Sequence, residues 1–284
     1  MIEFIKKSAT WAFAVTTGIF TFVPESFFRN CEWVSSEFIE QYELFMVLDV
    51  GDINIVISRL VCLMGIWIAI ALVYAFFLKI RWWITIKGEN YSIRVEYGNI
   101  LKKRNCKRVV NFDECFSIQV GNKTADINPG SICGQYLTEH PDLDIQKLID
   151  EANIMPARGK SKYQQRTRYA SGTIVPNGDD LLMAFAKLDE RGKGRFFSRD
   201  EYVQCLDLLW KELENHYSEK DVCVPILGAG TTSFDGASGA SISQQDLLDM
   251  MIWSYKLNSH KIKSPHKLRI VCRRNKGFSI NKID

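Results

Sequence analysis

The chain has 284 residues and a formal net charge of +3, with 46% hydrophobic and 24% charged residues. That length holds one full domain and a smaller appendage, and the charge lacks the basic excess with which nucleic-acid surfaces track phosphate, so no nucleic-acid partner is expected. The eight cysteines, Cys31, Cys62, Cys106, Cys115, Cys133, Cys205, Cys223 and Cys272, form no C-x-x-C pair and no zinc spacing, which reads as reduced, mostly buried thiols and no metal site.

Residues 9–23 are apolar or small, with Trp11, Phe13, Ile19, Phe20 and Phe22, and the run stops at Pro24. A helix over about residues 4–23 is long enough to cross a bilayer at roughly 1.5 Å per residue. Lys6 and Lys7 ahead of the run also suit a signal peptide, but no small-x-small cleavage site follows and a second apolar run does. Residues 60–78 carry no charge; as a helix of roughly 28 Å they match a hydrocarbon core of about 30 Å. Arg59 stands at the entrance of this span, where its side chain can snorkel.

Lys6 and Lys7 precede the first span, and Lys79 and Arg81 follow the second. The intervening loop carries Glu25, Glu32, Glu37, Glu40, Glu43, Asp49 and Asp52 against a single Arg29. This charge asymmetry makes both termini cytoplasmic, with Trp82 and Trp83 as anchors at the inner interface. Phe38, Ile39, Tyr42, Phe45 and Met46 recur at helical spacing, as in a short amphipathic helix on the outer leaflet. The chain therefore divides into a transmembrane hairpin with an acidic extracytoplasmic loop, residues 1–83, and a cytoplasmic domain, residues 84–284.

In the second part, residues 83–87 and 91–97 read as strands about a Gly88-Glu89-Asn90 turn. Residues 108–111, 172–176, 181–187 and 268–273 read as further strands, and 143–152 and 243–257 as helices. A helix over residues 199–217 presents Tyr202, Cys205, Leu206, Leu209, Leu213 and Tyr217 as a core stripe, with Ser198 as N-cap. The polar stretch 158–168, with Lys160, Lys162 and Arg166, reads as a mobile surface loop. Alternation of strand and helix means a layered α/β domain.

The stretch from Asp221 to Pro225 is an apolar strand that runs into Leu227-Gly228-Ala229-Gly230-Thr231-Thr232-Ser233-Phe234. Gly228 and Gly230 allow positive φ and close approach of a ligand to the backbone, and Thr231, Thr232 and Ser233 add hydroxyl donors, a combination suited to phosphate oxygens. A tight turn is the plainer reading of a single Gly-x-Gly. No Lys-Ser/Thr follows as a P-loop requires, and Ser233 stands where a dinucleotide fingerprint has its third glycine.

Residues 88–284 resemble a macrodomain, the α/β/α fold that binds ADP-ribose and its derivatives. Four stretches carry the likeness in order. Tyr97-Gly98-Asn99-Ile100 resembles the family's Gly-Asp-Ile, which contacts adenine, with Asn99 in place of the acid. Val109-Val110-Asn111-Phe112-Asp113-Glu114 resembles the strand ending in Asn-Ala-Ala-Asn, with Glu114 where hydrolytic members carry the Asn near the distal ribose. Asn128-Pro129-Gly130-Ser131-Ile132-Cys133-Gly134-Gln135 resembles the first glycine-rich phosphate loop, and Leu227 to Phe234 the second. The resemblance implies a three-layer α/β/α macrodomain with a mixed sheet. It implies ligand contacts from Asn99, Ile100, Asn111, Glu114, Gly130, Ser131, Ile132, Cys133, Gly134, Leu227, Gly228, Ala229, Gly230, Thr231, Thr232, Ser233 and Phe234.

Two membrane helices before such a domain are similar to the membrane-bound macrodomain effectors of type II Thoeris antiphage defence. There the ligand is an ADP-ribose derivative of the histidine-ADP-ribose type, made by a TIR-domain enzyme that consumes NAD. The resemblance implies a sensor without a cofactor or catalytic residue, placed in a bacterial inner membrane, which on binding its signal assembles into a homo-oligomer that disrupts the lipid bilayer. The alternatives are a membrane-anchored ADP-ribosyl hydrolase and a tether for ADP-ribosylated partners; Glu114 leans towards binding without hydrolysis. The four histidines, His140, His216, His260 and His266, fall in loops or at helix ends, as solvated surface groups do.

Overall fold

The computed structural model describes residues 2–29, 31–34, 49–196, 198–230, 232–234, 242–258, 261–275 and 277–283. The amphipathic helix expected over Phe38 to Met46 lies outside them. The chain forms two compact units, residues 1–81 and 82–284.

In the first unit, helix α1 (Ile2–Phe22) packs against helix α3 (Val50–Ile80), with a short helix α2 (Glu25–Arg29) between them. Ser8, Ala12 and Thr16 recur every fourth residue on the buried stripe of α1, so small side chains admit the neighbouring helix closely. Phe4 stacks on Tyr74 at 5.3 Å, and the Trp67 indole donates to Ser8 Oγ at 3.2 Å, which sets the two helices antiparallel. At the other end Asn54 Oδ1 accepts from the amides of Trp33 and Val34. Arg59 pairs there with Glu25 at 2.9 Å and lies over the rings of Phe20 and Phe28.

Of the described helices, α3 alone is long and apolar enough to cross a membrane, with a mean hydropathy of 2.6 over its most apolar stretch. Helix α1 falls short because Glu3, Lys6 and Lys7 lie within its 21 residues, while Thr10, Thr16, Thr17 and Thr21 break its apolar run only weakly. Each of these hydroxyls donates to a carbonyl four residues back, at 2.6–2.9 Å, so the helix satisfies its own polar side chains without water.

The second unit is built on a sheet of nine described strands: β1 (Trp83–Lys87), β2 (Ser92–Tyr97), β3 (Cys106–Asp113), β4 (Ile174–Asn177), β5 (Asp180–Leu188), β6 (Gly194–Phe196), β7 (Asp221–Pro225), β8 (Ser233–Phe234) and β9 (Leu268–Cys272). Their order is β1-β2-β9-β7-β3-β5-β6-β8, with β4 also on β5. The five strands β2, β9, β7, β3 and β5 are parallel, while β1, β4 and β6 pair antiparallel with their neighbours. The sheet is therefore mixed.

A parallel strand covered on both faces needs a continuous apolar run, and β5 supplies Leu181-Leu182-Met183-Ala184-Phe185. Leu181, Met183 and Phe185 face helices α6 (Arg199–His216) and α7 (Gln244–Leu257), against Leu206, Leu209, Trp210, Leu248 and Met251. Leu182 and Ala184 face the opposite layer, helices α4 (Ile132–Glu139) and α5 (Ile145–Glu151), with Tyr136, Leu137 and Ile149. The result is three layers, α/β/α. The eight cysteines are free thiols, six of them buried.

Two stretches differ from the sequence reading. Residues 132–135, expected as the end of a glycine-rich loop, are the first turn of a helix over Ile132–Glu139, because the Ser131 hydroxyl accepts from Gly134 N at 2.9 Å and caps it. The stretch 158–168, expected as a mobile surface loop, is fastened down: Ser161 is 1% exposed, Lys160 and Thr167 form a β-bridge, and Arg166 donates to Ser117 Oγ at 2.7 Å.

Candidate functional site

The parallel strands β3, β5, β7 and β9 end on one side of the second unit, where an open α/β sheet places its ligand crevice. Three segments meet there: residues 120–131 leading into α4, residues 226–232 after β7, and residues 273–278 after β9. The first and third are fastened together, for the Gly130 carbonyl accepts from Arg273 Nη1 at 3.2 Å as well as from Gln135 Nε2 of its own helix at 2.9 Å.

The first loop is shaped by its own side chains. Asn128 Oδ1 accepts from Gly130 N at 2.7 Å, and Ser131 Oγ donates to the Asn128 carbonyl at 2.7 Å. A Cβ on Gly134 would collide with that carbonyl, so glycine lets the loop fold back on its helix. In the second loop Gly228 has φ +82°, and a Cβ there would stand 2.8 Å from the Phe234 ring. Leu227 is held from below, its carbonyl accepting from the Tyr202 hydroxyl at 3.1 Å. Gly230 is exposed, and among the described residues beyond its chain neighbours no atom lies within 4 Å of where a Cβ would stand. Its backbone is open to a ligand.

Two cavities flank these loops. Cavity one, about 370 Å³, is lined by Asn111, Asp113, Ser131 and Cys133 together with Lys123, Asp126 and Lys193 on its polar side. Cavity two, about 300 Å³, is lined by Gly228, Ala229, Gly230 and Phe234 with the N-terminal turn of α7 and Phe278. Thr232 lines both. Each is within the range of small-molecule sites, about 300–1,000 Å³.

The sequence-derived residues distribute unevenly. Asn111, Ser131, Cys133 and Thr232 line cavity one, and Gly228, Ala229, Gly230, Thr232 and Phe234 line cavity two. Gly130 and Gly134 shape the first loop, while Ile132 and Leu227 are packed into the core layers. Thr231 and the side chain of Ser233 lie outside the described residues. Asn99 and Ile100 line neither cavity: Asn99 Oδ1 accepts from Leu101 N at 3.0 Å as the cap of a 3-10 turn, and Ile100 is 2% exposed in the core.

Glu114 is also turned away from both cavities. It is 2% exposed; its Oε1 accepts from Ser161 Oγ at 2.6 Å and from Leu188 N at 3.1 Å, and Arg168 lies 3.6 Å from Oε2. The physical reason is that the loop 158–168 and the end of β5 both need an acceptor at this point. In that arrangement the carboxylate fastens structure and faces no ligand.

Cys133 is the thiol on the wall of cavity one, and burial raises its pKa well above the ordinary value, which keeps it a thiol and a poor nucleophile. His140 lies tilted against the Tyr136 ring, with centroids 4.4 Å apart, and His216 lies 3.7 Å from Glu212. No described histidine lines either cavity.

Sequence reasoning missed Lys123, Asp126 and Lys193 around cavity one and Gln245, Asn275 and Phe278 around cavity two. The turn-rich strings Gly121-Asn122-Lys123-Thr124 and Asn275-Lys276-Gly277 were the available signal. What no local pattern carries is that they converge.

The model of the macro domain of Thoeris protein ThsA matches residues 93–273. The chain belongs to the ThsA macrodomain family. Thoeris protein ThsA of Bacillus amyloliquefaciens (strain Y2) is 27% identical over 212 residues, covering 70% of this chain and 68% of that protein. Among solved structures, the Oceanobacillus iheyensis macrodomain with ADP has a TM-score of 0.39 at 8% identity, covering 68% of this chain and 89% of that one. The macrodomain of Thermus aquaticus DarG has a TM-score of 0.33 at 13% identity, covering 64% and 98%. The three-layer mixed sheet is thus a ThsA macrodomain, and the cavities lie at the strand ends of that fold.

Proposed function

We propose that this protein is a membrane effector of Thoeris antiphage defence. Its macrodomain binds an ADP-ribose-derived signal, of the histidine-ADP-ribose type, made by a TIR-domain enzyme from NAD. Its two N-terminal helices cross the bacterial inner membrane with both chain ends in the cytoplasm, and assembly of several chains disrupts the bilayer. No catalytic step is assigned to it.

The observation that carries the ligand reading is the pair of cavities meeting at Thr232 between two glycine-containing loops. A nucleotide with a second sugar spans such a site with its pyrophosphate at the centre, where open backbone at Gly230 and the Thr232 hydroxyl are available to phosphate oxygens. Phe234 and Phe278 make cavity two the side suited to a base. The polar walls of cavity one suit the distal sugar and whatever it bears.

A binding role without turnover is favoured over hydrolysis by the placement of Glu114, which holds three protein groups and faces no cavity. The membrane reading rests on α3 and on exposed apolar side chains along both long helices, among them Trp11, Leu72 and Val73. Two helices cannot enclose a pore, because backbone and polar groups in lipid must be satisfied within the assembly, so disruption requires several copies.

Calorimetry on the full-length protein in detergent tests the ligand reading: saturable binding of ADP-ribose or its histidine conjugate is expected. No binding of either would contradict it.

A further inference from the structure

Between α1 and α3, within the first unit, lies a groove of about 440 Å³ with Trp11 on one wall and Ile70, Val73 and Phe77 on the other. It is open at its side: Trp11 is 68% and Val73 70% exposed, so a molecule beside the helices reaches these side chains directly. The hydroxyl that Ser8 brings to the lining is already engaged, for it donates to the Ile5 carbonyl at 3.1 Å and accepts from the Trp67 indole at 3.2 Å. Tyr74, which also lines the groove, stacks its ring on Phe4. The body of the groove therefore suits hydrocarbon. Along α3 it runs from Ala69 to Phe77, roughly 12 Å at 1.5 Å per residue. Lys7 lines it as well. Lys6, Lys79 and Arg81 belong to the same end of the hairpin, where the sequence has one acid, Glu3.

We propose that this groove seats an acyl chain of an anionic phospholipid from the cytoplasmic leaflet, with the lipid phosphate at the basic end beside Lys7. A groove between membrane helices that is apolar along its length and basic at its cytoplasmic mouth matches such a lipid in both parts. The proposal rests on the reading that both long helices cross the membrane with their basic ends in the cytoplasm, and it stands apart from the nucleotide site. A second copy of the hairpin fits the groove less well. The exposed ridge that α3 carries outside it, Leu72 and Phe76, leads one turn on to Lys79, so seating that ridge would add a cation to an end that is already basic. A lipid phosphate brings the opposite charge.

The test is native mass spectrometry of the full-length protein in detergent, titrated with phosphatidylglycerol and with phosphatidylcholine of the same acyl chains. The unaltered protein is expected to retain one phosphatidylglycerol per chain and to prefer it at least about fivefold, the factor that one lysine near an anionic lipid surface contributes. Lys7→Gln should lower that preference about fivefold and still hold a lipid. Ala69→Phe sets a ring in the groove and should lose both lipids, with unchanged helix content by circular dichroism. Equal retention of the two lipids by the unaltered protein, an unchanged preference in Lys7→Gln, or undiminished retention by Ala69→Phe would each overturn the proposal. Dimers in place of bound lipid, abolished by Ala69→Phe, would overturn it in favour of a second copy. All of these outcomes leave the nucleotide reading in place, whereas a chain that stays in solution without detergent would overturn the membrane reading and this proposal together.

Discussion

The guanidinium of Arg274 lies 4.6 Å from the ring centroid of Trp82 and 5.0 Å from that of Tyr97. Tyr97 meets Phe278 edge-on at 6.0 Å, and its hydroxyl accepts from Ile280 N at 3.2 Å. Phe278 lines cavity two and Trp82 begins the second unit, so a run of packed side chains joins the cavity wall to the residue at which the chain leaves the first unit. If binding is transmitted along it, Arg274→Ala should keep the affinity for the histidine conjugate of ADP-ribose within about twofold and sharply reduce ligand-dependent leakage from proteoliposomes. The contact itself is worth about 0.5–2 kcal/mol, too little to unfold the domain. Undiminished leakage would assign the path no role.

Gly230→Glu should abolish binding without unfolding the domain. Among the described residues beyond its chain neighbours no atom lies within 4 Å of the added Cβ, so the folded state has room for it. The new carboxylate would stand where the proposed ligand carries its pyrophosphate and repel it in a partly desolvated site. Calorimetry together with a thermal melt checks both halves: no measurable binding, and an unchanged Tm.

Glu114→Ala should destabilise the protein by about 3 kcal/mol, since it leaves the Ser161 hydroxyl and the amide of Leu188 buried without their acceptor and takes the partner from the half-buried Arg168. Glu114→Gln keeps one acceptor and should cost less. A fall in Tm in that order, with no ADP-ribosyl turnover in the unaltered protein or either variant, is the expected result. ADP-ribose release by the unaltered protein that vanishes in Glu114→Ala would reinstate the hydrolase reading.

Strand and helix positions were legible wherever one residue type dominated a period: β5 is apolar on both faces, and α6 carries a clean stripe closed by Ser198. The glycine loop after β7 was legible for the same reason, since Gly228 and Gly230 have few other uses at a strand exit. Glu114 was not, because its burial depends on Ser161 and Leu188, 47 and 74 residues away in the chain. Helix α4 was hidden by its own cap, as Gly130 and Ser131 read equally well as a loop. Phe278 and Gln245 reach cavity two from either side of β9, one on the helix before it and one in the segment after it, which no local pattern shows to be neighbours.

Glu96 supplies a pH prediction. Burial alone would raise its pKa, but hydrogen bonds and charge from Lys103 and Arg269, at 2.7 and 2.6 Å, outweigh burial and hold the carboxyl below its ordinary value of 4.5. The folded chain therefore releases this proton more readily than the unfolded chain. Its contribution is present above the unfolded value and is lost as pH falls through the lowered folded value. Glu96→Gln should lower the Tm at neutral pH, by an amount equivalent to about 3 kcal/mol because Arg94, Lys103 and Arg269 lose their charged partner, and should flatten the acid side of the Tm-versus-pH curve. An unchanged acid slope would show that other carboxylates set it.

The central claim is that nucleotide binding to the macrodomain drives membrane disruption. It is tested most directly by dye release from liposomes carrying the purified full-length protein, with and without the histidine conjugate of ADP-ribose. The account predicts release only with the ligand, steep in protein density because several chains must assemble, and absent for Gly230→Glu. Equal release with and without ligand, or release by Gly230→Glu, would contradict it.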